Sequence, residues 1–216
     1  MKIWTATFAA AIALCGFTTG AVAQKLEPGK TVAAVLPVVN KSGELSQQFN
    51  TRNRDAANAA LEKQFSIRGF KVLGTNQCGK VAADLGIRFE ERESWKAEPI
   101  IQVARKLNAD IIALAIVLDS HSSVNNGGIA GYIGGSQDGR AHVRVLLFKT
   151  ATGESLVASE AKGESSSGFL AYLDKGMDRQ TTATMVAIGN GLNTFLMDYP
   201  ITAKAPKKKV DEAAQP

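Results

Sequence analysis

Two stretches of the chain are apolar at nearly every position instead of every second one. Residues 31–39 (TVAAVLPVV) and 110–119 (DIIALAIVLD) are β-branched runs closed by polar residues. Short runs of this kind predict strands covered on both faces. Between them the period changes. Over residues 48–67, Ala57, Leu61 and Phe65 recur at i, i+4 and i+8, with Arg52, Arg54, Glu62 and Lys63 on the other side, which predicts an amphipathic helix. Gly69 stands where a C-terminal cap belongs. Residues 70–73 predict a short second strand. Residues 74–86 carry a weaker pattern, with one helical turn over 80–85. Pro99 suits a first helical turn, and the stripe Ile100, Val103, Ala104, Leu107 predicts a helix that Asn108 ends.

The second half alternates more. Residues 120–139 are polar and glycine-rich and predict a loop. Residues 141–149 and 155–162 predict two strands, and Thr152-Gly153-Glu154 between them predicts a tight turn, hence an antiparallel hairpin. Residues 163–168 predict a loop. Residues 169–199 predict a mostly helical segment with Met185, Ile188, Leu192, Phe195 and Tyr199 on its buried face, ended by Pro200. Gly189 and Gly191 weaken that helix by about 1 kcal/mol each relative to Ala, which close packing on the sheet would explain. The sum is one α/β (α+β) domain: a mixed sheet of about five strands with helices packed on it, in the order β-α-β-α-β-β-β-α.

Three-part patterning at the N terminus places this domain outside the cytoplasm. Lys2 precedes an apolar run over residues 8–17, interrupted by Thr18, Thr19 and Gly20, and Ala21-Val22-Ala23 forms a small-x-small cleavage site. The run is too short for a membrane span. The expected organisation is a signal peptide over 1–23, a domain over 24–199 and a disordered basic tail over 200–216, in a periplasmic or secreted protein. Cys15 would be the lipidation site of a lipoprotein, but Leu14 occupies the position where a small residue is needed, which favours an unlipidated product. Cys78 is then the one cysteine left, so no internal disulfide is expected. The formal net charge of +5 falls partly on Lys2 and on Lys204, Lys207, Lys208 and Lys209. The body therefore lacks the concentrated basic face of a nucleic-acid binder.

Three segments resemble the CsgG-type family of bacterial envelope proteins, with relatives among LpoB-like regulators of wall synthesis and the N-terminal domain of TolB. The segment Val32-Ala-Ala-Val-Leu-Pro-Val-Val-Asn40 is similar to the family's opening strand. Residues 104–117 (ARKLNADIIALAIV) are similar to its helix leading into a central strand. Residues 147–163 (LFKTATGESLVASEAKG) are similar to its strand, Thr-Gly-Glu turn and return strand. The resemblance implies the family fold over residues 31–197 and a role in assembly, secretion or wall synthesis. Pore-forming members are lipidated and insert two amphipathic hairpins. Here the one candidate insertion, residues 120–139, is too poor in apolar residues to face lipid.

The residues offer several chemistries, each with a weakness. Gly74-Thr-Asn-Gln-Cys-Gly79-Lys80 has phosphate-loop spacing, yet Val81 stands where Ser or Thr would ligate Mg²⁺. Gly163-Glu-Ser-Ser-Ser-Gly168 misses the spacing of a nucleophile elbow. His121 and His142 flank the glycine-rich segment, but two ligands do not make a zinc site, and pairing either with Cys78 as a nucleophile is a remote case. Glu90, Glu91 and Glu93 among Arg88, Arg92 and Lys96 read as a solvated face. The most unusual segment holds Gly127, Gly128, Ile129, Gly131, Tyr132 and Gly134, a candidate partner-contact loop. Lys207, Lys208 and Lys209 are candidates for peripheral contact with a membrane. The expectation is a non-enzymatic envelope protein with no cofactor and no metal, which binds an envelope partner or itself. The alternatives are an outer-membrane secretion-pore component and a small exported hydrolase or nucleotide-binding protein acting through Cys78, Lys80 or His121.

Overall fold

The computed structural model describes residues 25–42, 47–125, 136–167 and 179–202. The expected signal peptide, Cys15 and the lysines of the tail lie outside the described residues. The elements in chain order are β1 (Val32–Val35), β2 (Val39–Asn40), α1 (Gln47–Ser66), β3 (Lys71–Leu73), α2 (Thr75–Asp84), a 3₁₀ turn (Arg92–Trp95), α3 (Ala97–Lys106), β4 (Ile111–Asn125), β5 (Ser136–Lys149), β6 (Ser155–Ser167) and α4 (Arg179–Leu196). One mixed sheet runs in the order β3-β1-β4-β5-β6, with β2 also paired to β4. β1 pairs in parallel with β3 and β4, while β4, β5 and β6 form an antiparallel meander.

Alternation along β4 builds two cores. Ile111, Ala113, Ala115 and Val117 face one side, and Ile112, Leu114 and Ile116 the other, all at most 2% exposed. The first side receives α1 and α4 through Ala57, Leu61, Phe65, Ile188 and Leu192. The second receives α2 and α3 through Cys78, Ile100, Val103 and Ala104. A strand buried on both faces needs this unbroken apolar run, as the sequence predicts. Asp110 anchors the start of β4 beside β1, since its Oδ2 accepts the Val32 N–H at 2.7 Å. Asn108, at φ 51°, ends α3, and Gly69, at φ 85°, turns the chain out of α1. Phe65, Phe70, Phe195 and Tyr199 close the foot of the first core, with neighbouring ring centroids 5.0–6.4 Å apart.

Four boundaries differ from the sequence reading. Residues 74–86 hold a full helix, α2, instead of one turn, because Thr75, Cys78 and Ala82 recur at helical spacing and are buried. A sixth strand, β2, forms past Pro37 as Val39 and Asn40 pair with Ile116 and Val117. The loop expected over 120–139 is strand as far as Asn125 and again from Ser136. The loop expected over 163–168 is strand as far as Ser167. The polar composition that suggested loops belongs to paired strands whose outer face meets solvent. Gly191 does permit close packing: a Cβ there would lie 2.6 Å from Val145 Cγ2. Gly189 does not serve this purpose, as its nearest neighbour would be Gln64 Nε2 at 3.7 Å.

Candidate functional site

Among the described residues, the antiparallel half of the sheet is covered by a helix on one face only. α4 lies along the β5–β6 seam and approaches it backbone to backbone. A Cβ on Gly139 would fall 2.2 Å from Arg179 O, and one on Gly163 would fall 2.0 Å from Ala183 O. Gln180 Nε2 donates to Ser120 O at 2.8 Å, and Ser159 Oγ donates to Gly191 O at 2.7 Å. On the opposite face α3 reaches β5 only near Leu146 and Phe148.

Past that point the outer face carries charge in cross-strand rows. The register aligns Ile116, Arg144 and Glu160 in one row, Asp119, His142 and Lys162 in the next, and His121, Arg140 and Glu164 in a third. A bulge between Val117 and Asp119 turns Asp119 to this face while Ser120 points under α4. Arg144 Nε donates to Glu160 Oε1 at 2.9 Å, and His142 Nε2 stands 3.1 Å from Glu160 Oε2. The Arg144 guanidinium holds the Glu160 carboxyl below the ordinary carboxylate range, chiefly by hydrogen bonding to it. Arg140 meets Glu164 more loosely, at 3.8 Å, and His121 Nδ1 lies 3.5 Å from Asp119 Oδ2. Of these residues only the two histidines were singled out from the sequence. The missed signal is charge at period two, over Asp138, Arg140, His142, Arg144 and again over Glu160, Lys162, Glu164.

The other expected sites resolve as follows. His121 and His142 share the outer face, diagonally across the β4–β5 pair, each turned to a carboxylate of its own. Among the described residues no group of three or more His, Cys, Asp or Glu is disposed to hold a metal ion. Gly79 and Lys80 lie inside α2, so the phosphate-loop spacing is not a loop. The first N–H of that helix is already taken, as Glu62 Oε1 accepts from Thr75 N at 2.7 Å. Cys78 is fully buried, and burial pushes its thiol up to about 11, the neutral and unreactive form at neutral pH. Glu90, Glu91 and Glu93 are exposed, as expected of a solvated face. Gly127, Gly128, Ile129, Gly131, Tyr132 and Gly134 lie outside the described residues, between the ends of β4 and β5.

A crevice of about 930 Å³ opens beyond the carboxyl ends of β1 and β3. β1 leads to α1 on one face of the sheet and β3 leads to α2 on the other, so the chain parts there. Arg54, Asp55, Arg88 and Glu90 on its walls are exposed and of both signs.

No family model and no curated protein matches the chain. Solved structures with a similar arrangement exist. Lipoprotein GNA1162 from Neisseria meningitidis is 12% identical, with a TM-score of 0.48, over 76% of this chain and 99% of that one. The PelC dodecamer from Paraburkholderia phytofirmans is 14% identical, with a TM-score of 0.40, over 83% and 92%. The LpoB C-terminal domain from Salmonella enterica is 16% identical, with a TM-score of 0.36, over 65% and 85%. At so low an overlap none of the three assigns a function to this chain. No described helix is long and apolar enough to cross a membrane.

Proposed function

We propose that the protein is a non-catalytic module of the bacterial envelope that works by binding, and that the outer face of β4, β5 and β6 is its contact surface. The observation that carries this reading is the half-covered ribbon. A sheet with helices on one face and ordered charge rows on the other presents a broad, flat, polar surface. Small-molecule sites are instead concave and largely apolar. The glycine-rich segment that holds Gly131 and Tyr132, a partner-contact candidate in the sequence, falls between β4 and β5 in chain order and lies outside the described residues. The export signal over residues 1–23 supplies the compartment, and the three segments that resemble CsgG-type domains favour an accessory role in assembly, secretion or wall synthesis.

A photoreactive residue placed at Arg140 in living cells tests this directly, with the exposed α3 position Arg105 as control. The expected result is a discrete adduct with an envelope protein from position 140 and none from 105. Identical patterns from the two positions, or no adduct from either, defeat the proposal. The enzymatic alternatives are tested by Cys78→Ser and Lys80→Ala, which are expected to leave the cellular phenotype of the gene unchanged.

A further inference from the structure

We infer that β6 is a self-pairing edge, and that two copies of this chain join there into a two-fold dimer with a continuous sheet and neighbouring α4 helices. The inference rests on the binding-module reading and names one of its partners, a second copy. Three independent observations lead to it.

The first is the edge itself. β6 spans Ser155–Ser167 and pairs with β5 on one side, while no described strand pairs with its other side. Among the described residues these thirteen form a long edge without a second strand partner, a template for strand addition. The opposite edge, β3, has three residues.

The second is charge. Glu160, Lys162 and Glu164 alternate on the outer face of β6. Identical edges related by a two-fold axis run antiparallel and must be self-complementary. An axis through Lys162 would set lysine against lysine and Glu160 against the partner's Glu164. An axis through Ala161 would ask Lys162 to pair with a Glu160 that Arg144 and His142 already hold. An axis through Gly163 sets Lys162 against the partner's Glu164 twice, with a carboxylate that Arg140 reaches only at 3.8 Å. That register satisfies every charge involved. Asn190 Nδ2 donates to Lys162 O at 2.9 Å, and a carbonyl has a second lone pair to accept from an added strand.

The third is the flank of α4. Val186, Asn190, Asn193 and Met197 follow helical spacing along one exposed stripe, which the Asn190–Lys162 bond places on the β6 side. Val186 is 40% and Met197 72% exposed, two of only four large hydrophobic residues so exposed among those described. Because α4 sits over the β5–β6 seam, strand spacing puts two-fold-related α4 helices about 10 Å apart, within the range of packed helices. The stripe would then bury its apolar groups against its own copy.

Sedimentation velocity of the purified protein across micromolar concentrations tests the inference. The expected result is a monomer–dimer equilibrium for the natural chain. Lys162→Glu and Glu164→Lys should each weaken it about tenfold or more, since each sets like charges opposite one another twice. Mixing these two variants should restore the dimer as a heterodimer, because each then supplies what the other lacks. Val186→Glu should weaken it through the helices alone, with circular dichroism confirming that every variant is folded. A natural chain that stays monomeric overturns the inference, as does an unchanged dimer in Lys162→Glu or a mixture that fails to associate. A monomer that still gives the Arg140 adduct removes the dimer and leaves the binding module standing. A β6 dimer without any Arg140 adduct keeps the dimer and removes the envelope partner at the outer face.

Discussion

The two halves of the sheet are held together by different physics. In the parallel half, β3, β1 and the first part of β4 lie between two helical layers, and side-chain volume fills both faces. Seven consecutive residues, Ile111 to Val117, are at most 2% exposed there. In the antiparallel half the same strand continues with Asp119, His121 and Ser123 facing solvent, and its cover is a single helix seated on glycines. The first half spends its sequence on stability. Among the described residues the second leaves one face and one edge open, and that is where an interaction surface can exist without disturbing the core.

The largest effect should come from the closed half. Leu114 is fully buried under α2 and α3. Leu114→Ala is expected to cost about 4 kcal/mol, the transfer loss plus the cavity left behind. Ser123→Ala, on the open face of the same strand, should change stability by no more than about 0.5 kcal/mol. Urea denaturation of the two variants measures the contrast. Equal losses would show that the ribbon face is covered in the free protein.

A contrast between a glycine of β6 under α4 and a glycine of α4 itself comes next. Gly163→Ala puts a methyl group 2.0 Å from Ala183 O and 2.5 Å from Ala187 N, both backbone atoms that cannot swing aside. The helix must lift from the strand, at a cost of about 3 kcal/mol. Gly189→Ala meets only a flexible Gln64 amide at 3.7 Å, so helix propensity should prevail and stabilise the protein by about 0.5–1 kcal/mol. Thermal melts of the pair separate a glycine needed for packing from one that is not.

The same division explains what could be read from the chain. The closed half was legible because unbroken apolar runs and the spacing of Ala57, Leu61 and Phe65 leave few alternatives. The open half was half legible. The pattern marks strands over 141–149 and 155–162, but their extensions to Ser136 and Ser167 carry loop-like composition. Serine, glycine and charge usually mark turns, and here they mark a ribbon whose backbone is paired while its side chains meet water. The glycines misled for a second reason. Gly139 and Gly163 are small because a helix rests on them, which is a tertiary fact without a local signature. The charge rows have no signature in any single residue. Only the register sets Arg144 beside Glu160, and His142 beside Lys162.

The smallest effect concerns that register. Glu160 is exposed, and its pairing with Arg144 should add little to stability, so Arg144→Met is expected to lower the melting temperature at pH 7 by about 2 °C or less. The sign of its pH dependence is nevertheless fixed. The folded Glu160 carboxyl titrates below its ordinary value, largely because Arg144 bonds its charged form. The unfolded chain titrates near the ordinary value of about 4.3. Between the two, the unfolded state binds the proton and the folded state does not, so acid favours unfolding. The contribution is therefore complete above about pH 4.3 and disappears as pH falls through the folded value. His142 faces the same carboxylate in both proteins and is common to the comparison. Melting temperatures of the natural chain and Arg144→Met should converge as the pH is lowered through the folded value of Glu160. A gap that stays constant, or widens in acid, would mean that Arg144 supports the ribbon through its aliphatic stem, and the outer face would then owe its order to packing instead of charge.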